Sequence, residues 1–166
     1  QSLELALELI RSLCSGGYFL GHCVVHQVKL GLRRQRRHHS PVSGRKTRQI
    51  ALQSLLRSQQ TQQAVEPILA RQFRSAALSA ADSGLCRELV SGCVRWRRLL
   101  DWLIERATEG RKQKPAVREI LRLGLYQIFF LNRIPEHAIV DESVRLAKTE
   151  NCLSQSGFIN AMMRRF

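Results

Sequence analysis

Cysteine and histidine carry the intrinsic reactivity for nucleophilic, acid–base or metal chemistry, and this chain has five of each. The cysteines are Cys14, Cys23, Cys86, Cys93 and Cys152. Their odd number and lack of a framework spacing point to reduced thiols rather than disulfides. Cys86 and Cys93 stand seven apart on a helical period and read as small buried apolar residues. His22, Cys23 and His26 are the residue types that hold zinc, but no second ligand pair follows at metal-site spacing, so no metal is expected. His137 follows Pro135, which opens a helix, and is a candidate helix cap. No nucleophile or acid stands with it at a spacing that would make it catalytic. The chemistry left to this sequence is electrostatic.

Lysine and arginine total 27 against 13 acidic residues, a formal charge of +14 on 166 residues, and 22 of the cations are Arg. Charge of this size favours a polyanion as partner, either nucleic acid or an anionic membrane surface. A 44% hydrophobic content excludes a fully disordered chain. Four Pro and ten Gly exclude collagen-like or Pro-rich low complexity. The longest apolar stretch, Tyr18 to Leu32, is broken by His22, His26 and Lys29, too short and too polar to span a bilayer. Glu4 and Glu8 stand where a secretory signal needs positive charge, so a soluble cytoplasmic protein is expected. Gln1 in place of an initiating Met, and Phe166 closing a helical pattern, are expected of a piece of a longer chain.

Three groups of cations stand together. Arg45, Lys46 and Arg48 lead into a helix, where free backbone N–H groups also attract phosphate. Arg95, Arg97 and Arg98 cluster around Trp96 in the middle of a long helical pattern. Arg111, Lys112 and Lys114 precede Pro115, with Arg118 and Arg122 one and two turns on. The competing reading for each group is solvated surface: Arg98 has Asp101 three residues on, and Arg122 has Glu119 three residues back. Arg164 and Arg165 suit either nucleic-acid contact or a linker. Trp96 and Trp102 are residue types on which bases stack, but Trp96 lies on an apolar stripe and reads as core. Tyr126 reads as half-buried, and Asn160 as a buried structural hydrogen-bonding residue.

The elements that position these residues follow from periodicity. Residues 1–44 hold six cations and two acids, net +4, and begin with an amphipathic pattern of Leu3, Leu7, Ile10 and Cys14 that Gly16 and Gly17 would stop. Arg33, Arg34, Arg36, Arg37, His38 and His39 follow, then a linker signal at 40–44. This part is expected to be an extension, partly disordered. Residues 45–166 hold 21 cations and 11 acids, net +10, and keep a 3.6-residue period throughout. The spacing predicts a helix over about 46–58, a short one carrying Val65, Ile68, Leu69 and Phe73, and a loop from Ser75 to Ala81. A long helix capped by Asp82 then runs to about 108, with Leu85, Leu89, Cys93, Trp96, Leu99, Leu100 and Leu103 as one stripe. Gly110 ends it and Pro115 opens the next. Gly124 inside that helix costs about 1 kcal/mol against Ala, which a close helix–helix approach would explain. Helices opening at Pro135 and carrying Phe158, Ile159, Met162, Met163 and Phe166 complete an all-α bundle of five to six helices.

Several strings carry a family resemblance. They are Glu88-Leu89-Val90-Ser91-Gly92-Cys93-Val94-Arg95, Leu100-Asp101-Trp102-Leu103-Ile104, Leu123-Gly124-Leu125-Tyr126-Gln127, Arg133-Ile134-Pro135-Glu136-His137-Ala138, Asp141-Glu142-Ser143-Val144 and Phe158-Ile159-Asn160-Ala161-Met162-Met163-Arg164-Arg165-Phe166. Over 45–166 the chain resembles the NusB-like helical domain, and within it the branch that forms the N-terminal domain of bacterial ribosomal RNA cytosine-5 methyltransferases. Residues 1–44 resemble nothing comparable. The resemblance implies a NusB-like fold and RNA binding, with Arg45, Lys46 and Arg48 at the basic N-terminal position such domains use for RNA. It also implies a following Rossmann-type domain that binds S-adenosylmethionine and holds the catalytic cysteines. No cysteine here follows a Pro, as that catalytic motif would have it, and no strand with a Gly-rich turn is present. The sequence therefore reads as an RNA-binding module without the enzyme, with ribosomal RNA and the methyltransferase domain as partners. The alternative is a free-standing NusB-type transcription antitermination factor, which implies a ribosomal protein as partner.

Overall fold

The 3.6-residue period is realised as seven α-helices among the described residues of the structure, a computed structural model that describes 41–131 and 134–166. They are α1 (Pro41–Thr61), α2 (Val65–Ala76), α3 (Ala80–Arg95), α4 (Arg97–Ala107), α5 (Pro115–Phe130), α6 (Glu136–Thr149) and α7 (Ser156–Met163), with a 3-10 turn at Leu153–Gln155 before the last. The amphipathic pattern of Leu3, Leu7, Ile10 and Cys14, the His22–Cys23–His26 cluster, the arginine run of 33–37 and Arg133 lie outside the described residues.

α5 is the helix the others surround. Pro115 presets the φ of its first residue, and residues 119–127 are buried without interruption. A helix buried on every side must sit in the middle, and α1, α3, α4, α6 and α7 all pack against it. The core takes Leu52 from α1, Leu89 from α3, Leu103 from α4, Leu121 from α5, Ile139 from α6 and Ile159 from α7, each at 1% exposure or less. Gly124 makes the close approach its presence predicted. A Cβ there would lie 2.3 Å from Met163 Cε of α7 and 3.0 Å from Ser143 Oγ of α6.

Four expectations change. α1 starts at Pro41, so the segment expected as a linker is its first turn, Pro again fitting a helix's opening residue. The loop expected from Ser75 to Ala81 shrinks to 77–79, with Ala77 left-handed (φ 47°) after α2. The cap of α3 is Ser79 rather than Asp82: the Ser79 hydroxyl oxygen accepts from the Asp82 N–H at 3.1 Å, and the Asp82 carboxylate accepts from that hydroxyl. Asp82 thus stands three residues after the cap, its N–H and carboxylate both bonded to the cap hydroxyl. The long helix expected from 82 to 108 is two. At Trp96 the backbone leaves helical values (φ −97°, ψ 13°), so this residue closes α3 and opens α4. No Pro or Gly stands at the break, which is why the sequence period runs straight through it.

Candidate nucleic-acid interface

Each cation group meets a different fate. In the first, the earlier start of α1 puts Arg45, Lys46 and Arg48 in its second turn rather than at its opening. Arg45 is exposed, its Nε 3.7 Å from the Glu142 carboxylate. Lys46 is exposed and donates to the Ala76 carbonyl at 2.7 Å, covering the C-terminal end of α2. Arg48 is half-buried: Nε donates to Gln127 Oε1 at 2.7 Å and Nη1 to the Gly44 carbonyl at 2.9 Å. Burial pushes its pKa down, against the pull of Glu142.

The third group divides. Arg111, Lys112 and Lys114 are exposed, with Arg111 3.7 Å from Glu109. Arg118 and Arg122 turn inward to a carboxylate cluster. The Asp101 carboxylate accepts from Arg118 Nε at 3.0 Å and from Arg122 Nη2 at 2.6 and 2.8 Å, while Arg118 also pairs with Glu105. Arg122 donates to Glu119 as well, and Gln59 of α1 donates to the same Glu119 oxygen. Glu119 is 2% exposed; desolvation pushes its pKa up, while Arg122 and Arg97 pull it down. The Arg122 side chain is 5% exposed, so Arg122 belongs to the bundle's interior rather than to a nucleic-acid surface. The Arg122–Glu119 pair was legible three residues apart; the bonds to Asp101 were not, because 17 and 21 residues separate it from Arg118 and Arg122.

The second group is the most open. Arg95, Arg97 and Arg98 are exposed and flank the α3–α4 junction, not the middle of one helix. Arg97 Nη2 lies 4.0 Å from Glu119. With Asp101 held by Arg118 and Arg122, Arg98 makes no ion pair with it, and Arg95 likewise has none among the described residues. Trp96 between them is 38% exposed, against the expectation that it sits in the core. Its indole stacks on Phe130 at 5.0 Å between centroids, and Phe130 stacks on Tyr126 at 5.0 Å. Tyr126 is buried rather than half-buried, at 4% exposure. Its hydroxyl donates to Glu88 on α3, and burial first, then Glu88, pushes its pKa up. Gly92 makes room: a Cβ there would lie 2.0 Å from Tyr126 Cζ. The sequence sign of this surface Trp was its place between three arginines, which the continuous apolar period outweighed.

The remaining candidates settle locally. Asn160 is half-buried, and its side chain accepts from exposed Arg164 at 3.1 Å rather than making a buried bond. Arg165 Nη1 donates to the Ala107 carbonyl at 2.7 Å, at the end of α4. His137 is exposed and makes no capping bond to α6. Trp102 is 43% exposed. Cys86, Cys93 and Cys152 are buried free thiols. Burial pushes the Cys86 pKa up to about 12 and the Cys93 pKa up further, which keeps both protonated and non-nucleophilic at neutral pH. Among the described residues no three His, Cys, Asp or Glu side chains gather as a metal site would need, and no helix is long and apolar enough to cross a membrane. Among the described residues no strand is present.

Comparison with known proteins agrees with this architecture. Residues 45–166 match the NusB family. A probable ribosomal RNA small subunit methyltransferase B of Synechocystis is 41% identical over 98 residues, which are 58% of this chain and 22% of that protein. The Bacillus subtilis protein of the same description is 34% identical over 118 residues, 70% of this chain and 26% of that protein. The chain thus spans about a quarter of the length of these relatives. The transcription antitermination protein NusB of Desulforudis audaxviator is 32% identical over 122 residues, covering 72% of this chain and 88% of that protein. Among solved structures, NusB of T. maritima superposes with a TM-score of 0.69 at 23% identity, over 77% of this chain and 91% of that one. The match over residues 45–166 and the 32% identity through 88% of the Desulforudis protein place the chain in the NusB family.

Proposed function

We propose that this chain is an RNA-binding module that docks ribosomal RNA for a cytosine-5 methyltransferase. The observation that carries this reading is the match to two ribosomal RNA methyltransferases through only 22% and 26% of their lengths, at 41% and 34% identity. The chain corresponds to one part of such proteins; methyl transfer and S-adenosylmethionine belong, in this reading, to another part. Arg95 and Arg98 at the α3–α4 junction, with Lys112 and Lys114 before α5, support it, since exposed cations not held by carboxylates are what a phosphate backbone can use. Phosphate contacts position a structured RNA, and the cytoplasm is where that substrate is met.

The test is a titration of a small-subunit ribosomal RNA hairpin at several potassium chloride concentrations. The logarithm of affinity should fall linearly with the logarithm of salt as counterions are released. Replacing Arg95 and Arg98 by Ala should flatten that slope by about two phosphate contacts with unchanged helical circular dichroism. A flat salt response in the parent overturns the reading.

A second reading, a free-standing antitermination factor that binds RNA and a ribosomal protein, is favoured by the match through 88% of the Desulforudis NusB. The reading frame beyond the Phe166 codon discriminates: a methyltransferase domain supports the first reading, a stop codon the second.

A further inference from the structure

We infer that Trp96 is a stacking platform for an unpaired nucleobase, so that the bound RNA is single-stranded where it crosses the α3–α4 junction. The inference rests on the RNA-binding reading and adds the kind of RNA and the residue that meets it.

Three rings form a column from the interior to the surface: Tyr126 at 4% exposure, then half-buried Phe130, then Trp96 at 38%. The column is built in. Tyr126 and Phe130 lie one turn apart on α5, the Tyr126 ring lies where Gly92 has no side chain, and its hydroxyl is tied to Glu88. Trp96 is held from its own side by the backbone: its N–H donates to the Gly92 carbonyl at 2.9 Å and its carbonyl accepts from the Leu100 N–H at 2.9 Å. The indole is therefore fixed at the end of a stack while still exposed, so little side-chain entropy remains to be lost on binding. Val94, 48% exposed, lies two residues before it. Around it stand Arg95, Arg97 and Arg98, all exposed.

An exposed apolar surface alone would suit a protein partner equally well. The charge decides the occupant. Two of the three flanking arginines have no carboxylate to hold them among the described residues, and the third lies 4.0 Å from Glu119. Aromatic surface set among unpaired cations fits a strand with a phosphate at each step and a flat π-face at each base. A duplex hides its bases in its own stack and could use only the arginines.

The test uses the whole chain with Trp102→Phe, which leaves Trp96 as the single tryptophan of the two. The probe is a single-stranded RNA of about a dozen nucleotides, a length within the reach of such surfaces. Its binding should quench the tryptophan emission, and a duplex of equal length should bind more weakly and quench less. By anisotropy of a labelled strand, Trp96→Ala should lose about ten-fold or more in affinity at every salt concentration without changing the salt slope, because a stack releases no counterion. Trp96→Tyr should recover most of that loss, which separates stacking from damage to the fold. Unchanged affinity in Trp96→Ala, with the parent still binding in a salt-dependent way, overturns the platform and leaves the RNA-binding reading standing. A parent that binds no RNA overturns both. If Trp96→Ala instead abolishes self-association in sedimentation while RNA affinity is untouched, the surface is a protein contact and the platform is overturned.

Discussion

An arginine's value to a polyanion depends on what already holds it, and Arg98 and Arg122 are the two extremes in this molecule. Arg98 is exposed with no ion pair among the described residues; Arg122 lies at 5% side-chain exposure between Asp101 and Glu119. Arg122→Ala would strip the buried Glu119 of its close cation while Asp101 keeps Arg118, a loss of about 3 kcal/mol or more for breaking a buried pair. Urea denaturation should read that loss, while RNA affinity of the folded variant stays at the parent value; a fall in affinity at unchanged stability would return Arg122 to the RNA surface. The thiols make an equally direct prediction. With the Cys86 pKa near 12 and that of Cys93 pushed up by burial, neither holds appreciable thiolate at pH 8, and Cys152 is shielded by its burial. Iodoacetamide should leave Cys86, Cys93 and Cys152 unmodified in the native protein and label all three in urea, as peptide mass spectrometry would show. Rapid native labelling of Cys86 would mean that its site opens.

Helices meet in this bundle at two glycines with different consequences. At Gly92 on α3 an added Cβ would collide with the Tyr126 ring, 2.0 Å away, which is rigid and anchored to Glu88. At Gly124 on α5 the nearest atom is the terminal methyl of Met163, the far end of a flexible chain. Gly92→Ala should therefore destabilise by about 1–3 kcal/mol through overpacking and alter the near-ultraviolet circular dichroism by displacing the column under Trp96. Gly124→Ala should be close to neutral, since the helix gains about 1 kcal/mol from Ala and Met163 can turn away. The reverse order in thermal unfolding would mean that α5 and α7 pack more stiffly than α3 and α5. The sequence showed that Gly124 marks a close approach, because Gly inside a strong apolar period needs a reason. Gly92 also stands inside an apolar helical period, but its partner Tyr126 lies 34 residues further on and was not legible.

Across the molecule the core is shared: five helices each place a side chain of 1% exposure or less around α5. Such a core should unfold as one unit, and the emission of Trp96 and Trp102 should follow the same thermal transition as far-ultraviolet circular dichroism. Two separated transitions would mean that α3 and α4 come away independently. The sequence by itself determined the all-helical class, the position of α5 between Pro115 and Gly124's close approach, the buried cysteines and the family, since each is written in local spacing or in short strings. Only the tertiary structure decided which arginines are open. Asp101 meets Arg118 and Arg122 across 17 and 21 residues, and by taking both it leaves Arg98 without the partner three residues away. It also decided that Trp96 breaks the long helix and faces outward. The ring of Phe130, 34 residues on, supplies there the contact that the apolar stripe alone would have assigned to the core. A helical period records which residues prefer to be covered, whereas the neighbours that cover them are fixed only when distant helices meet.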